Sequence, residues 1–186
     1  MNKFVYLNTK ISDLEENIIG IVRKEESEKI FVEFIKPNKK VLLNRKHLTD
    51  FNPMKTGDQY DKKVCNVCHK LLNVDEYAKN QNGKNNRTVR RPSCNSCRVH
   101  IDGVSVSSKD KKLWEQKKIE LEIFTCPICN KTTIPGLTSK IVLDHNHKDG
   151  KVNGWICDSC NTGLGRFRDD IQLLETAIKY LKESQD

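Results

Sequence analysis

The sequence predicts an α+β fold, a small N-terminal antiparallel β-barrel followed by two ββα-type repeats that each close on four cysteines. Three observations predict it. Residues 1 to about 58 hold short β-branched and aromatic runs without helical periodicity. All eight cysteines fall in Cys-x-x-Cys pairs. The pairs recur at a near-constant spacing, and the segment between the last two reads strand, turn, strand, helix.

The runs of the first element are Phe4-Val5-Tyr6-Leu7, Ile18 to Val22, Ile30 to Ile35 and Val41-Leu42-Leu43, separated by polar turns and by Pro37-Asn38. Such side chains suit a pleated, half-buried surface, and short strands remove their sticky edges by closing on themselves. Residues 1–58 therefore read as a barrel with no catalytic constellation, a scaffold or binding module.

From Cys65 the chain repeats itself. Cys65-x-x-Cys68, 25 residues and Cys94-x-x-Cys97 are followed by Cys126-x-x-Cys129, 27 residues and Cys157-x-x-Cys160. Each unit reads as a knuckle, a hairpin, a second knuckle and a helix, which implies a duplication: residues 59–108 form a first repeat, and 109–186 a linker helix and a second. The linker helix is expected over Ser108 to Phe124, with Leu113, Trp114, Leu121 and Phe124 apolar. A C-terminal helix, capped by Asp169 or Asp170, carries Ile171, Leu174, Ile178 and Leu181 on one face, expected to face the core.

No apolar run approaches the roughly 20 residues of a membrane span, so the expected compartment is the cytoplasm, with no membrane partner. There disulfides are disfavoured, and the cysteines read as two structural zinc sites: Cys65, Cys68, Cys94 and Cys97, then Cys126, Cys129, Cys157 and Cys160. The net charge is +8, and eight thiolates with two zinc ions bring it to about +4. A chain that is only moderately basic must bind a polyanion through the distribution of its charge.

The second repeat carries a chemical constellation. The apolar run Ile141-Val142-Leu143 delivers Asp144-His145, a glycine-containing turn reverses the chain, and Cys160-Asn161 opens a helix. Phosphodiester hydrolysis needs a base to take a proton from water and a cation to stabilise charge on the phosphate. Asp144 and the Asn161 carbonyl are hard oxygen ligands suited to Mg2+, and the imidazole of His145 can serve as the base. Because the cysteines complete both zinc sites, His145 and His147 are free for other work. Asn161 is bonded directly to the zinc ligand Cys160, so a structural metal positions a catalytic group. A regular strand would send Asp144 and His145 to opposite faces, so the backbone is expected to leave strand geometry there.

Asp-His-x-His, Gly-Lys-Val-x-Gly and Cys-x-x-Cys-Asn-x-Gly-Leu-Gly, followed by an acidic cap and a terminal helix around Tyr180-Leu181, resemble the recombination endonuclease VII family over residues 126–182. That resemblance implies a ββα-metal (HNH-like) nuclease in which Asp144 and Asn161 bind the catalytic metal and His145 activates water. That family continues into a helical dimerisation and junction-binding region, which is not expected in this sequence to Asp186. A barrel followed by two zinc repeats, one of them catalytic, is instead similar to the ββα-metal type II restriction endonucleases. The expected function is cleavage of both strands of double-stranded DNA at a short symmetric site by a homodimer. The alternatives are a resolvase, homing or repair nuclease of the same chemistry, or a non-catalytic zinc-ribbon binder.

Counting back from Cys94 as Asp144 and His145 precede Cys157 places Gln81 and Asn82 in the first repeat, and Arg98 follows Cys97 where Asn161 follows Cys160. Base and metal ligands are thus missing there. The segment is rich in Asn and basic residues, including Asn85 and Asn86, a composition suited to phosphates and base edges. Lys84, Arg87, Arg90, Arg91 and Arg98, with His147, Lys151 and Arg166 of the second repeat, are the expected DNA contacts. His47, His69 and His100 are isolated and expected to be structural or surface residues.

Overall fold

The computed structural model of the chain describes residues 3–83, 87–119 and 123–184. It comprises two compact units, Met1–His100 and Ile101–Asp186. In the first, β1 (Phe4–Leu7), β2 (Ile19–Glu26), β3 (Lys29–Phe34), β4 (Lys39–Asn44) and β5 (Leu48–Phe51) form one antiparallel sheet in the order β4-β3-β2-β1-β5. Strand alternation turns Val5 and Leu7 of β1 and Ile30, Val32 and Phe34 of β3 to one face. Leu14, Ile18 and Leu48 complete this buried core. Each such side chain contributes roughly 1.5–3 kcal/mol by leaving water.

The sheet corrects the expected barrel. Its edge strands β4 and β5 are not hydrogen-bonded to one another, so it is open. They are joined through a three-residue 3-10 turn, Arg45–His47, capped by the Asn44 side chain, which accepts from the Lys46 N–H at 3.0 Å. Closure would pair β5 with β4, and β5 offers only four residues against the six of β4, a short edge from which to build the tilted, staggered ladder of a barrel. The short Leu48-Thr-Asp-Phe strand carries too little pattern to stand out in the sequence.

The first repeat is stitched to this sheet: the Ile19 N–H donates to the His69 carbonyl at 2.9 Å and the Leu71 N–H to that of Asn17 at 2.8 Å. β6 (Lys62–Val64) and β7 (Leu71–Asn73) flank the first knuckle, β8 (Lys79–Asn82) and β9 (Thr88–Arg90) form a hairpin, and α1 spans Asn95–Asp102. Cys65, Tyr77 and Cys94 are its buried centre, and the Tyr77 hydroxyl donates to the Lys63 carbonyl at 2.8 Å.

In the second unit α2 (Ser108–Ile119) precedes β10 (Phe124–Thr125) and β11 (Thr132–Thr133), which flank the Cys126–Cys129 knuckle. Phe124, expected in the linker helix, belongs to β10, and Leu121 lies outside the described residues. β12 (Ile141–His145) pairs with β13 (Val152–Cys157), then come α3 (Asp158–Arg166) and α4 (Ile171–Glu183). The two knuckles share a backbone. The N–H groups of Cys65 and Cys126 donate to the carbonyls of Lys70 and Lys131 at 3.0 Å each. The residue after the second cysteine is left-handed in both, with φ 55° at His69 and 57° at Asn130.

Asp170 caps α4, accepting from the N–H groups of Gln172 and Leu173 at 2.8 and 3.2 Å. The apolar face of α4, expected to be core, is largely exposed: Leu174 is half-buried, but Ile171, Ile178 and Leu181 are 72%, 53% and 57% exposed. Periodicity identifies an apolar face but does not say what element covers it.

Candidate active site

The two cysteine clusters come together as the spacing predicts. In each, the four sulfurs lie within 4.8 Å of one another. Cys68 and Cys94 Sγ are 3.9 Å apart, and Cys129 and Cys157 Sγ 3.8 Å. A tetrahedral zinc with Zn–S bonds of about 2.3 Å sets its sulfurs about 3.8 Å apart, so the donor set fits. Burial alone would raise the Cys65 and Cys126 thiols, but main-chain N–H groups aimed at each sulfur outweigh it and lower them to about 7 and about 6. Burial and the neighbouring sulfurs push Cys68, Cys97 and Cys160 up. Bringing all four to the thiolate form is work that a bound metal does by displacing protons.

The second cluster anchors the ββα unit. Cys157 ends β13 and caps α3, its sulfur accepting from the Cys160 N–H at 3.4 Å. Val142 of β12 pairs with Ile156 of β13, and both pack with Cys126, Cys157, Cys160 and Leu164. This is therefore the face of the hairpin that α3 covers. Two residues beyond Val142, Asp144 returns to that face opposite Gly154. Asn161 follows Cys160 in the first turn of α3 and precedes Leu164 by three residues, so the cysteine cluster and the apolar contact together fix its place.

The register then breaks where departure from strand geometry is expected. Asp144 pairs with Gly154 and His145 with Val152, which leaves Asn153 as an extra residue on β13. Such a bulge sharpens the local twist and re-aims the side chains beside it. Gly154, at φ +142°, supplies backbone that other residues rarely adopt. The Asn153 amide donates from Nδ2 to Asp144 Oδ2 at 2.9 Å. The rings of His145 and His147 lie 4.9 Å apart at 44°.

A strap from the end of α1 holds the turn beyond. The Val104 N–H donates to the His147 carbonyl at 2.8 Å, and His147 Nδ1 lies 3.1 Å from the Ile101 carbonyl and 3.8 Å from Asp169 Oδ2. Gly103, at φ +60°, lies so close that a Cβ there would sit 2.2 Å from the His147 oxygen.

The expected DNA contacts divide. Arg87, Lys151 and Arg166 are exposed, and Arg91 and Arg98 half-buried. Arg90 is turned inward, 17% exposed, donating to the Tyr77 carbonyl at 2.8 Å and to Asp75 at 2.9 Å, so it holds the hairpin. Lys84, Asn85 and Asn86 lie outside the described residues. Sequence reasoning missed Asn153 and the 101–105 strap. The Asn153-Gly154 pair inside a strand run is a bulge or turn signal that could have revealed the first.

A strand pair broken by a bulge, an Asp-His pair at the break and a helix set by four cysteines are the arrangement expected of a ββα-metal nuclease. Comparison with known proteins shows that class. Residues 102–183 match the family described as recombination endonuclease VII, and residues 52–103 the His-Me finger endonuclease β4-α2 domain. The chain is similar to the crystal structure of the ββα-Me type II restriction endonuclease Hpy99I, with 42% identity and a TM-score of 0.91 over 98% of this chain and 97% of that one. The chain belongs to the ββα-Me, or His-Me finger, endonucleases. It is also 41% identical over 59 residues to the Gene 59 protein of Mycobacterium phage D29 and 40% identical over 57 residues to that of Mycobacterium phage L5. These stretches are 31% and 30% of this chain, and each is 34%, about a third, of the phage protein.

Proposed function

We propose that this nuclease is a type II restriction-type endonuclease that hydrolyses both strands of double-stranded DNA at a short symmetric site. The observation that carries the chemistry is the bulge between Asp144 and His145, which frees neighbouring residues from strict alternation so that both serve one phosphate. His145 takes the proton of the attacking water at an imidazole nitrogen. The Asp144 carboxylate and the Asn161 side-chain carbonyl would hold a single Mg2+, which when bound neutralises charge on the scissile phosphate and the leaving oxygen. The two zinc sites hold scaffold rather than reactants, since four thiolates leave no open position.

The restriction reading is supported by likeness to Hpy99I along nearly the whole chain. In it, residues 1–58 support, 59–108 contact DNA through Arg87, Arg91 and their neighbours, and 109–186 cut. Two copies act together, in the cytoplasm, where thiolates stay reduced. No helix among the described residues is long and apolar enough to cross a membrane. The endonuclease VII match over 102–183 favours a second reading, a branch-directed nuclease. Digestion of a sequenced plasmid with Mg2+ separates them: discrete fragments ending at one short sequence are expected, and cutting confined to branched DNA would overturn the restriction assignment.

A further inference from the structure

We infer that Asn153 is a positioning residue that orients the Asp144 carboxylate for metal, an inference that rests on the reading of Asp144 as a metal ligand. Asn153 is the residue by which β13 exceeds β12 at the bulge. Its Nδ2 donates to Asp144 Oδ2 at 2.9 Å. One carboxylate oxygen is thereby engaged by a fixed donor, which stops free rotation of the group and leaves Oδ1 as the oxygen to be offered to a cation. The bulge therefore does two things: it breaks the alternation of Asp144 and His145, and it supplies the side chain that holds one of them.

The chemistry of the residue fits this role. An amide donates without charge, so it orients the carboxylate without competing for the negative field that attracts a divalent ion. A Lys or Arg there would cancel that field. The Gly-Lys-Val-x-Gly pattern leaves position 153 open, so the assignment comes from the bulge geometry. Hydrogen bonds that support a metal ligand alter affinity by roughly 10- to 100-fold when removed. Asn153 is exposed, which puts the expectation at the lower end, about tenfold.

The test uses zinc-loaded full-length protein carrying His145→Ala, so that DNA stays uncut, and measures Mn2+ binding to the protein–DNA complex by electron paramagnetic resonance. Adding Asn153→Ala or the near-isosteric Asn153→Leu is expected to weaken Mn2+ binding about tenfold, with two zinc per chain and the melting temperature unchanged. In the parent with His145 intact, the same changes should raise the Mg2+ needed for half-maximal cleavage, with most of the rate recovered at saturating metal. Asp144→Ala is the control. Unchanged Mn2+ affinity in the Asn153 variants, with loss of binding in Asp144→Ala, would overturn this inference alone. Unchanged affinity in Asp144→Ala as well would overturn the metal-ligand reading and this inference with it.

Discussion

His147 presents its Nδ1 to the main-chain carbonyl of Ile101 at 3.1 Å. A carbonyl only accepts, so the partner assigns a proton to Nδ1. Together with the Val104 N–H on the His147 carbonyl, the contact ties the strap after α1 to the turn that follows Asp144 and His145. His147→Ala is expected to lower the melting temperature by about 2–4 °C, the cost of roughly one net hydrogen bond in a chain of this size, and to slow cleavage about tenfold or less. His147→Asn, whose amide reaches the same carbonyl, should restore most of the loss. Cleavage and melting curves check both; a rate loss as deep as that of His145→Ala with unchanged melting would show that His147 acts on the phosphate itself.

The proposed catalytic trio has a sharper expectation. A positioned general base contributes about 10²- to 10⁴-fold, so His145→Ala should cut cleavage by at least that range while DNA binding, followed by gel shift, survives. Asp144→Ala and Asn161→Ala should instead raise the metal requirement. A purified His145→Ala protein with full activity would remove the assignment.

Metal analysis should find two zinc ions per chain. Because Cys65, Tyr77 and Cys94 are the buried centre of the first repeat, stripping zinc removes the staple of a centre too small to stand alone, and both repeats should lose structure by circular dichroism. A zinc-free protein with native spectra would contradict this.

The basic segment of the first repeat should split by role. Arg87→Ala and Arg91→Ala are expected to weaken DNA binding and to reduce the slope of log affinity against log salt by about 0.9 for each phosphate left without its cation. Arg90→Ala should mainly lower the melting temperature, because its guanidinium binds the Tyr77 carbonyl and Asp75. Salt titrations beside melting curves distinguish the two. An unchanged slope in Arg87→Ala/Arg91→Ala returns these arginines to the solvated surface.

Much of this was legible in the sequence because its signals are local. Cys-x-x-Cys spacing fixes which sulfurs meet, and alternation through Ile141 to His145 signals the departure from strand geometry that the bulge at Asn153 brings. What was not legible depends on contacts distant in sequence. Whether β4 and β5 close a barrel, whether Arg90 faces outward, and whether anything covers Ile171 and Ile178 are set by neighbours that no periodicity names. Arg90 in particular looks like its neighbours in sequence, and only its approach to Asp75, fifteen residues earlier, separates it from them.

The homodimer expectation follows from counting active sites. The second repeat holds Asp144, His145 and Asn161, whereas the matching positions of the first are Gln81, Asn82 and Arg98, which provide neither an imidazole base nor a carboxylate, and place a guanidinium where Asn161 offers an oxygen. The hairpins also differ where chemistry would sit: the first has its irregularity between Lys79 and Gln81, on its leading strand, rather than on the returning strand as at Asn153. On the proposed mechanism one chain would sever one strand. The strands of a duplex are related by two-fold axes, so two identical chains sharing such an axis bring one ββα unit to each scissile phosphate and require a two-fold symmetric site. On a supercoiled plasmid with a single site, the expected outcome is conversion to linear product with little nicked intermediate, and light scattering on site DNA should give the mass of two chains. Lasting accumulation of nicked circles, with one chain per site, would defeat the dimer.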